Sequence, residues 1–420
     1  MSNPLALHGG TPVRTAPFPK WPVYGQPEEQ ALLRALHSGK WGKLDGVEVK
    51  NFEKGWANFC GTKHAVGVCN GTISLRIALM AAGVKSGDEV IIPPYTFLAT
   101  ATAVIEANAT PVFVDIDRET FNIDPKLIEQ AITPRTKVIM PVHLGGLPCD
   151  MDAIMAIAKK HNLVVIEDAA HAHGSSYKGK RAGNLGHIGS FSFQSSKNLT
   201  SGEGGVLTTN DDTLAERIHS IHNCGRVPGG AWYEHHVIAG NYRLGEFAGA
   251  ILNCQLDRLE AQTKRRDDNG KYLDAKLSEI PGLTPQKRDA STTCNAYHLY
   301  PIQYDQSVYG VPREQWLKAL AAEGIPVAAG YVVPLYRQPV FINKAFGPFT
   351  ASIDQNPDLD YAKVHLPVCE RICGGEGSWI YQAVLTGTRN DMDDVIAAFE
   401  KVYERRDDLL ESGKSMAMAK

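Results

Sequence analysis

The chain has no uninterrupted apolar stretch approaching the ~20 residues that a bilayer-spanning helix requires. Its opening residues, Met-Ser-Asn-Pro-Leu-Ala-Leu-His-Gly-Gly, lack the basic region and apolar core of a secretory leader, so a cytoplasmic location and no membrane partner are expected. An excess of charge is also missing. A formal net charge of −3 gives no electrostatic reason to expect nucleic acid or an anionic membrane as partner. Of the eight cysteines only Cys369 and Cys373 lie close together, with no histidine near them at zinc-site spacing. His171-Ala-His173 and His235-His236 likewise lack a further ligand at helical spacing, so no metal is expected. Neither Gly-x-Ser-x-Gly, nor a P-loop, nor Gly-x-Gly-x-x-Gly occurs, which removes the usual support for a serine hydrolase, an NTPase or a dinucleotide enzyme.

What is present is a long alternation. At 420 residues the chain can build a large domain and a smaller one. From about residue 50 to 225 short β-rich runs alternate with helical segments. Ala65–Asn70, Glu89–Ile92, Pro111–Asp115, Lys137–His143, Leu163–Glu167 and Ile188–Phe193 read as strands. Helices are expected from Ile73 to Ala82, from Phe97 to Asn108, from the Asp124-Pro125 start, and from Asp150 to His161. Nearly continuous apolar strands separated by helices predict an α/β fold with a mostly parallel sheet covered on both faces. A long amphipathic helix over about 244–280 should close a large domain, residues 1–280, and residues 281–420 should form a smaller α+β domain. The final residues, Ser412–Lys420, have little to pack with and are expected to fray.

Ligands of such sheets sit beyond the carboxyl ends of the strands, and those ends carry reactive residues here. Asn70-Gly71-Thr72 lies between a strand and a helix, where backbone N–H groups and the helix dipole suit a phosphate. Tyr95, in Pro-Pro-Tyr-Thr-Phe, follows the next strand and offers a stacking surface. Asp168 ends another strand, with Glu167 facing the opposite side by strand alternation. Ser192, a strand serine when taken alone, could be another phosphate donor, and Lys197 follows it in Ser-Phe-Gln-Ser-Ser-Lys-Asn-Leu. Each has a plain reading when taken alone: a solvated lysine, a capping carboxylate, a threonine-capped turn, a packed aromatic. Together they match the needs of pyridoxal 5'-phosphate (PLP): an amine for the aldehyde, an anion at the ring nitrogen, phosphate donors and a surface against the ring. Lys197 would hold the aldehyde as a Schiff base and then move the substrate α-proton.

In these motifs the sequence resembles the DegT/StrS-type aminotransferases, PLP enzymes of the aspartate aminotransferase fold that act on keto sugars and keto cyclitols. The resemblance runs from Leu36-His-Ser-Gly-Lys-Trp41 to Asp391-Met-Asp-Asp394. Its most specific parts are Asn70-Gly71-Thr72, Pro94-Tyr95-Thr96-Phe97, Pro141-Val142-His143, Glu167-Asp-Ala-Ala-His171, Lys197-Asn198-Leu199 and Gly202-Glu-Gly-Gly205. It implies that Gly71, Thr72 and Ser192 bind phosphate, that Tyr95 stacks on the ring and that Asp168 meets the ring nitrogen. His171 would lie near the ring oxygen and Lys197 would be the Schiff-base lysine. Asn241, in Gly-Asn-Tyr-Arg, would reach the phosphate of a neighbouring subunit, which implies a homodimer with shared active sites. The partners implied are an amino-acid donor, L-glutamine or L-glutamate, and a keto substrate. Glycine in Pro141-Val-His-Leu-Gly-Gly-Leu147 stands where many sugar enzymes carry tyrosine, and the Lys197 segment looks more like that of scyllo-inosose-type cyclitol enzymes. Enzymes of nucleotide-linked keto sugars, the aminohydroxybenzoate-forming branch and a non-catalytic PLP-binding regulator stand as alternatives. Dehydratase relatives replace the lysine with histidine, whereas Lys197 is present here.

Overall fold

The computed structural model describes residues 4–410, so the expected fraying of Ser412–Lys420 lies outside the described residues. Seven strands form the principal sheet: β1 (His64–Val68), β2 (Glu89–Ile92), β3 (Thr110–Phe113), β4 (Thr136–Ile139), β5 (Val164–Asp168), β6 (Ile188–Ser192) and β7 (Gly205–Thr209). Their spatial order is β1-β7-β6-β5-β4-β2-β3. Neighbours from β6 to β3 run parallel, and β7 alone is inserted antiparallel between β1 and β6. Every residue of β2 and β7 is buried, as expected where helices cover both faces of a sheet and water reaches neither. The expected α/β architecture is therefore the observed one.

Local chemistry sets the helix starts that matter for the site. Asn70 caps the helix Gly71–Ala81, its side-chain oxygen accepting from the Ile73 N–H at 2.9 Å. The expected start at Asp124-Pro125 is also found, with the Asp124 carboxylate capping and Pro125 in the first position. That helix is only a short turn, Pro125–Ile128, because a 3-10 segment follows at once. The helix expected from Phe97 begins instead at Ala99, which leaves Phe97 and Leu98 in the approach to it.

The linking helix spans Glu246–Leu277 and leads into a four-stranded antiparallel sheet built from Leu283–Pro285, Leu299–Tyr304, Val327–Ala328 and Gly377–Tyr381. Packing crosses the expected boundary at residue 280 in both directions. Leu5, fully buried, belongs to the core around Trp316 and Phe399, and Arg14 pairs with Asp391 and Asp394, each at 2.7 Å. Tyr336, Phe341 and Tyr361 in turn surround Phe113 of the principal sheet, with ring centroids 5.5–5.8 Å apart. The first residues thus pack with the smaller unit, and residues 335–361 with the larger one.

Candidate active site

A cavity of about 730 Å³ opens at the carboxyl ends of β1, β2, β5 and β6 and is closed from the other side by residues of the smaller unit. Its lining includes Gly71, Thr72, Phe97, Thr100, Asp168, His171, Ser192, Lys197, His298, Tyr331 and Trp379. Sequence reasoning expects Gly71, Thr72, Asp168, His171, Ser192 and Lys197 to share one site, and the fold brings these six together.

At the β1 end, the helix Gly71–Ala81 presents its amino terminus to the cavity. The Asn70 side chain satisfies the Ile73 N–H and the Asn70 carbonyl the Ser74 N–H, and the first N–H groups are left pointing out of the helix. A Cβ placed on Gly71 would lie 2.6 Å from the Ser192 Cβ and 3.0 Å from its Oγ, so only glycine lets β6 and this helix close into one cradle. Hydroxyls of Thr72 and Ser192 line the same place. This is a fit for a phosphate. Gly71→Ala is expected to weaken PLP binding by about 10-fold or more, since overpacking of this kind costs ~1–3 kcal/mol. Equilibrium titration of the apo protein with PLP measures it, with circular dichroism confirming an unchanged fold.

Asp168 ends β5, 5% exposed. Its Oδ2 accepts from the Thr100 hydroxyl at 2.8 Å and its Oδ1 from the Ala170 N–H at 3.3 Å. Burial pushes its carboxyl up, against the pull of these donors and of Lys197. A buried carboxylate that lacks a cationic partner at contact distance fits a protonated ring nitrogen. The alternation expected for Glu167 holds: on the opposite face it accepts from the N–H groups of Gly183, Leu185 and Gly186 at 2.7–2.8 Å, and its Oε2 lies 3.0 Å from the His143 Nε2. Glu167 thereby fixes the segment that precedes β6.

Lys197 lies half-buried in the cavity wall on a turn held by its own N–H to the Gln194 carbonyl, at 2.9 Å. The Phe193 carbonyl receives the Thr200 hydroxyl at 2.8 Å, and the Phe193 ring packs edge-on to Phe52 and Trp56. The His173 ring donates its Nε2 proton to the Ser192 carbonyl at 2.8 Å and is itself fully buried. Burial brings the Lys197 ammonium down to about 8, opposed by the charge of Asp168. An amine of this basicity serves as nucleophile and as proton carrier near neutrality.

Two expectations are corrected or displaced. Tyr95 does not line the cavity: it is 1% exposed, and its ring packs edge-on to Tyr331 and Trp379 at centroid distances of 5.3 and 6.4 Å. After β2 the chain bends through residues 94–96, so Tyr95 turns into the seam with the smaller unit while Phe97, 63% exposed, faces the cavity. Alternation by two would put Tyr95 and Phe97 on one side, so no local pattern in Tyr95-Thr96-Phe97 separates them. Asn241 is exposed on the segment between Asn223 and Gly245 and lines no part of this cavity within the chain. Sequence reasoning misses Thr100 and His298. Thr100 lies inside a helix whose facing is set by packing, and His298 comes from the smaller unit, distant in sequence.

Parallel strands that carry an anion cradle, a buried aspartate and a lysine of lowered basicity to one cavity define a PLP-dependent aminotransferase of fold type I. The DegT/DnrJ/EryC1/StrS aminotransferase family model matches residues 24–384, and the chain belongs to that family. It is 38% identical to the L-glutamine:2-deoxy-scyllo-inosose aminotransferase of Streptoalloteichus tenebrarius, over 96% of this chain and 99% of that protein. It is 39% identical to the spore coat polysaccharide biosynthesis protein SpsC of Bacillus subtilis, over 92% of this chain and 97% of that one. Among solved structures, 3-amino-5-hydroxybenzoic acid synthase superimposes with a TM-score of 0.81 at 33% identity, covering 93% of this chain and 99% of that one. No helix among the described residues is long and apolar enough to cross a membrane.

Proposed function

We propose that this enzyme transfers the amino group of L-glutamine or L-glutamate to a keto cyclitol. The observation that carries the choice of ketone is the make-up of the cavity. Its lining offers hydroxyls, the amides of Asn70 and Gln194, the carboxylates of Glu106, Asp168 and Glu203 and the imidazoles of His171 and His298, no arginine among the described residues, and Lys197 as its one lysine. Such a surface suits an uncharged polyol better than the diphosphate of a nucleotide-linked sugar, which calls for guanidinium groups. The similarity to 2-deoxy-scyllo-inosose aminotransferases supports the same ketone class and L-glutamine as donor.

When bound, PLP supplies an aldehyde to capture the amine and an electron sink for the carbanion that follows. The chain's own residues supply the rest. Gly71, Thr72 and Ser192 would hold the phosphate, and Asp168 would hold its charge against the ring nitrogen, stabilising negative charge as it develops. Phe97, in place of Tyr95, would cover the ring face, and His171 would meet the ring oxygen. Lys197 would hold the cofactor aldehyde between turnovers and, once released by the amino donor, would carry the α-proton.

A homodimer with shared sites is part of the proposal. Trp232 and Tyr233 are each 77% exposed and Ile238 is 97% exposed, all on the segment that carries Asn241. Large apolar side chains left in water on one loop favour a partner that covers them, and Asn241 would enter the partner's phosphate cradle. All eight cysteines are free thiols, which favours a reducing, cytoplasmic setting.

The test is a two-stage absorbance experiment. L-glutamine should bleach the visible band of the purified PLP-loaded enzyme, and 2-deoxy-scyllo-inosose should then restore it. Restoration by a nucleotide-linked keto hexose alone would replace the cyclitol with that sugar class. A band untouched by any amino acid would remove the transaminase reading.

A further inference from the structure

We propose that His298 determines ketone specificity, its neutral Nε2 accepting a hydrogen bond from a hydroxyl of the substrate. The proposal rests on the keto-polyol reading above and assigns that recognition to one atom.

His298 lines the cavity and lies 6% exposed just ahead of the strand Leu299–Tyr304. Its tautomer follows from its neighbours. The Nδ1 is 3.2 Å from the Asn198 Oδ1, an atom that only accepts, so Nδ1 carries the proton. The orientation of the Asn198 amide is set in turn, because its Nδ2 donates to the Ala296 carbonyl at 2.8 Å. The His298 Nε2 is therefore unprotonated and able to accept from a molecule in the cavity that the ring lines. It is an acceptor on the wall of a substrate cavity. Burial, with the neighbouring His171 and Lys197, holds the ring well below its ordinary value, so it stays an acceptor at working pH.

His171 is arranged in the opposite sense. Its Nδ1 accepts the Gly145 N–H at 3.4 Å, which puts its proton on Nε2. Gly145 reaches that position at φ 70°, where a Cβ would sit 3.0 Å from the Leu299 carbonyl oxygen. The two imidazoles lie with ring centroids 4.3 Å apart; the His171 donor is the one assigned to the PLP ring oxygen, which leaves the His298 acceptor to the substrate. A hydroxyl of a cyclitol can donate to that acceptor. A ketone without hydroxyls gains nothing from it. Asn198 follows Lys197 directly, so the acceptor is held in register with the reacting amine through one side chain.

The experiment compares two ketones on the amine-loaded enzyme, 2-deoxy-scyllo-inosose and cyclohexanone, in wild type, His298→Phe and His298→Gln. Phenylalanine keeps the ring volume without an acceptor, and glutamine keeps an oxygen near the place of Nε2. In His298→Phe, kcat/KM for 2-deoxy-scyllo-inosose should fall by about 10- to 100-fold, the usual loss when a buried hydrogen-bonding partner is removed. Cyclohexanone should react within about 3-fold of wild type, a change too small to represent a lost bond, and His298→Gln should recover most of the cyclitol rate. The bleaching of the cofactor band by L-glutamine and the affinity for PLP should be unaltered. Equal loss with both ketones, no loss with either, or a loss confined to the glutamine stage would each overturn the assignment. A wild-type enzyme that fails with the cyclitol would instead overturn the function on which it rests.

Discussion

Lys197→Ala should abolish turnover, with kcat reduced by about 10⁴-fold or more, the combined loss of a covalent amine and a general base. The protein should still bind PLP, because Gly71, Thr72, Ser192 and Asp168 are untouched and their cradle is set by packing between β6 and the helix Gly71–Ala81. Its spectrum should change to that of the free aldehyde. Methylamine should restore part of the proton-transfer rate, which a folding defect would not allow. A variant with wild-type turnover would end Lys197's role. The wild type adds a pH dependence. Only the neutral amine attacks an aldehyde, and burial brings the Lys197 ammonium down to about 8. At pH 7 about a tenth of it is neutral. The rate at which apo protein captures PLP should therefore rise through pH 8 and level off above, where an ordinary lysine would still be gaining. Stopped-flow absorbance measures this directly.

Asp168→Ala is expected to have the next largest effect, slowing the glutamine half-reaction about 10²- to 10³-fold in single turnover, the usual range for removing one preorganised electrostatic group. The carboxylate is the one anionic side chain of the cavity bonded to both Thr100 and the Ala170 N–H, at 2.8 and 3.3 Å. Its loss also strands the buried Thr100 hydroxyl, although that group keeps a contact with Thr96 at 2.9 Å. The stability cost should be about 1–2 kcal/mol by chemical denaturation. Asp168→Asn tests charge alone: it keeps the shape and the bond to Thr100 but no longer opposes a protonated ring nitrogen. An Asn variant as slow as Ala assigns the effect to charge, and one as fast as wild type removes Asp168 from catalysis.

Both effects depend on residues that are legible in the amino-acid sequence, and the reason is local. Asp168 and Lys197 each stand just past an apolar run, and a parallel sheet sends the ends of such runs to one side. Asn70-Gly71-Thr72 is legible for the same reason, helped by a cap that acts within its own turn. Tyr95 is misplaced by sequence reasoning because its motif shows aromatics at two positions, and only the seam with the smaller unit decides which turns inward. The boundary expected at residue 280 follows covalent order, whereas Leu5 and Tyr361 pack across it.

By itself, then, the sequence determined the α/β class, the strand ends, the Asn70-Gly71-Thr72 turn, and the placement of Asp168 and Lys197 at those strand ends. Each of these follows from periodicity, capping or residue chemistry within a few positions of the chain. The tertiary structure decided which aromatic faces the cavity, that Thr100 supports Asp168, and that His298 stands beside His171 with the opposite tautomer. Those outcomes depend on contacts between segments far apart in the chain, such as Asn198 with His298 and Gly145 with His171. A hydrogen-bond partner selected by packing leaves no periodic trace in the residues that make it.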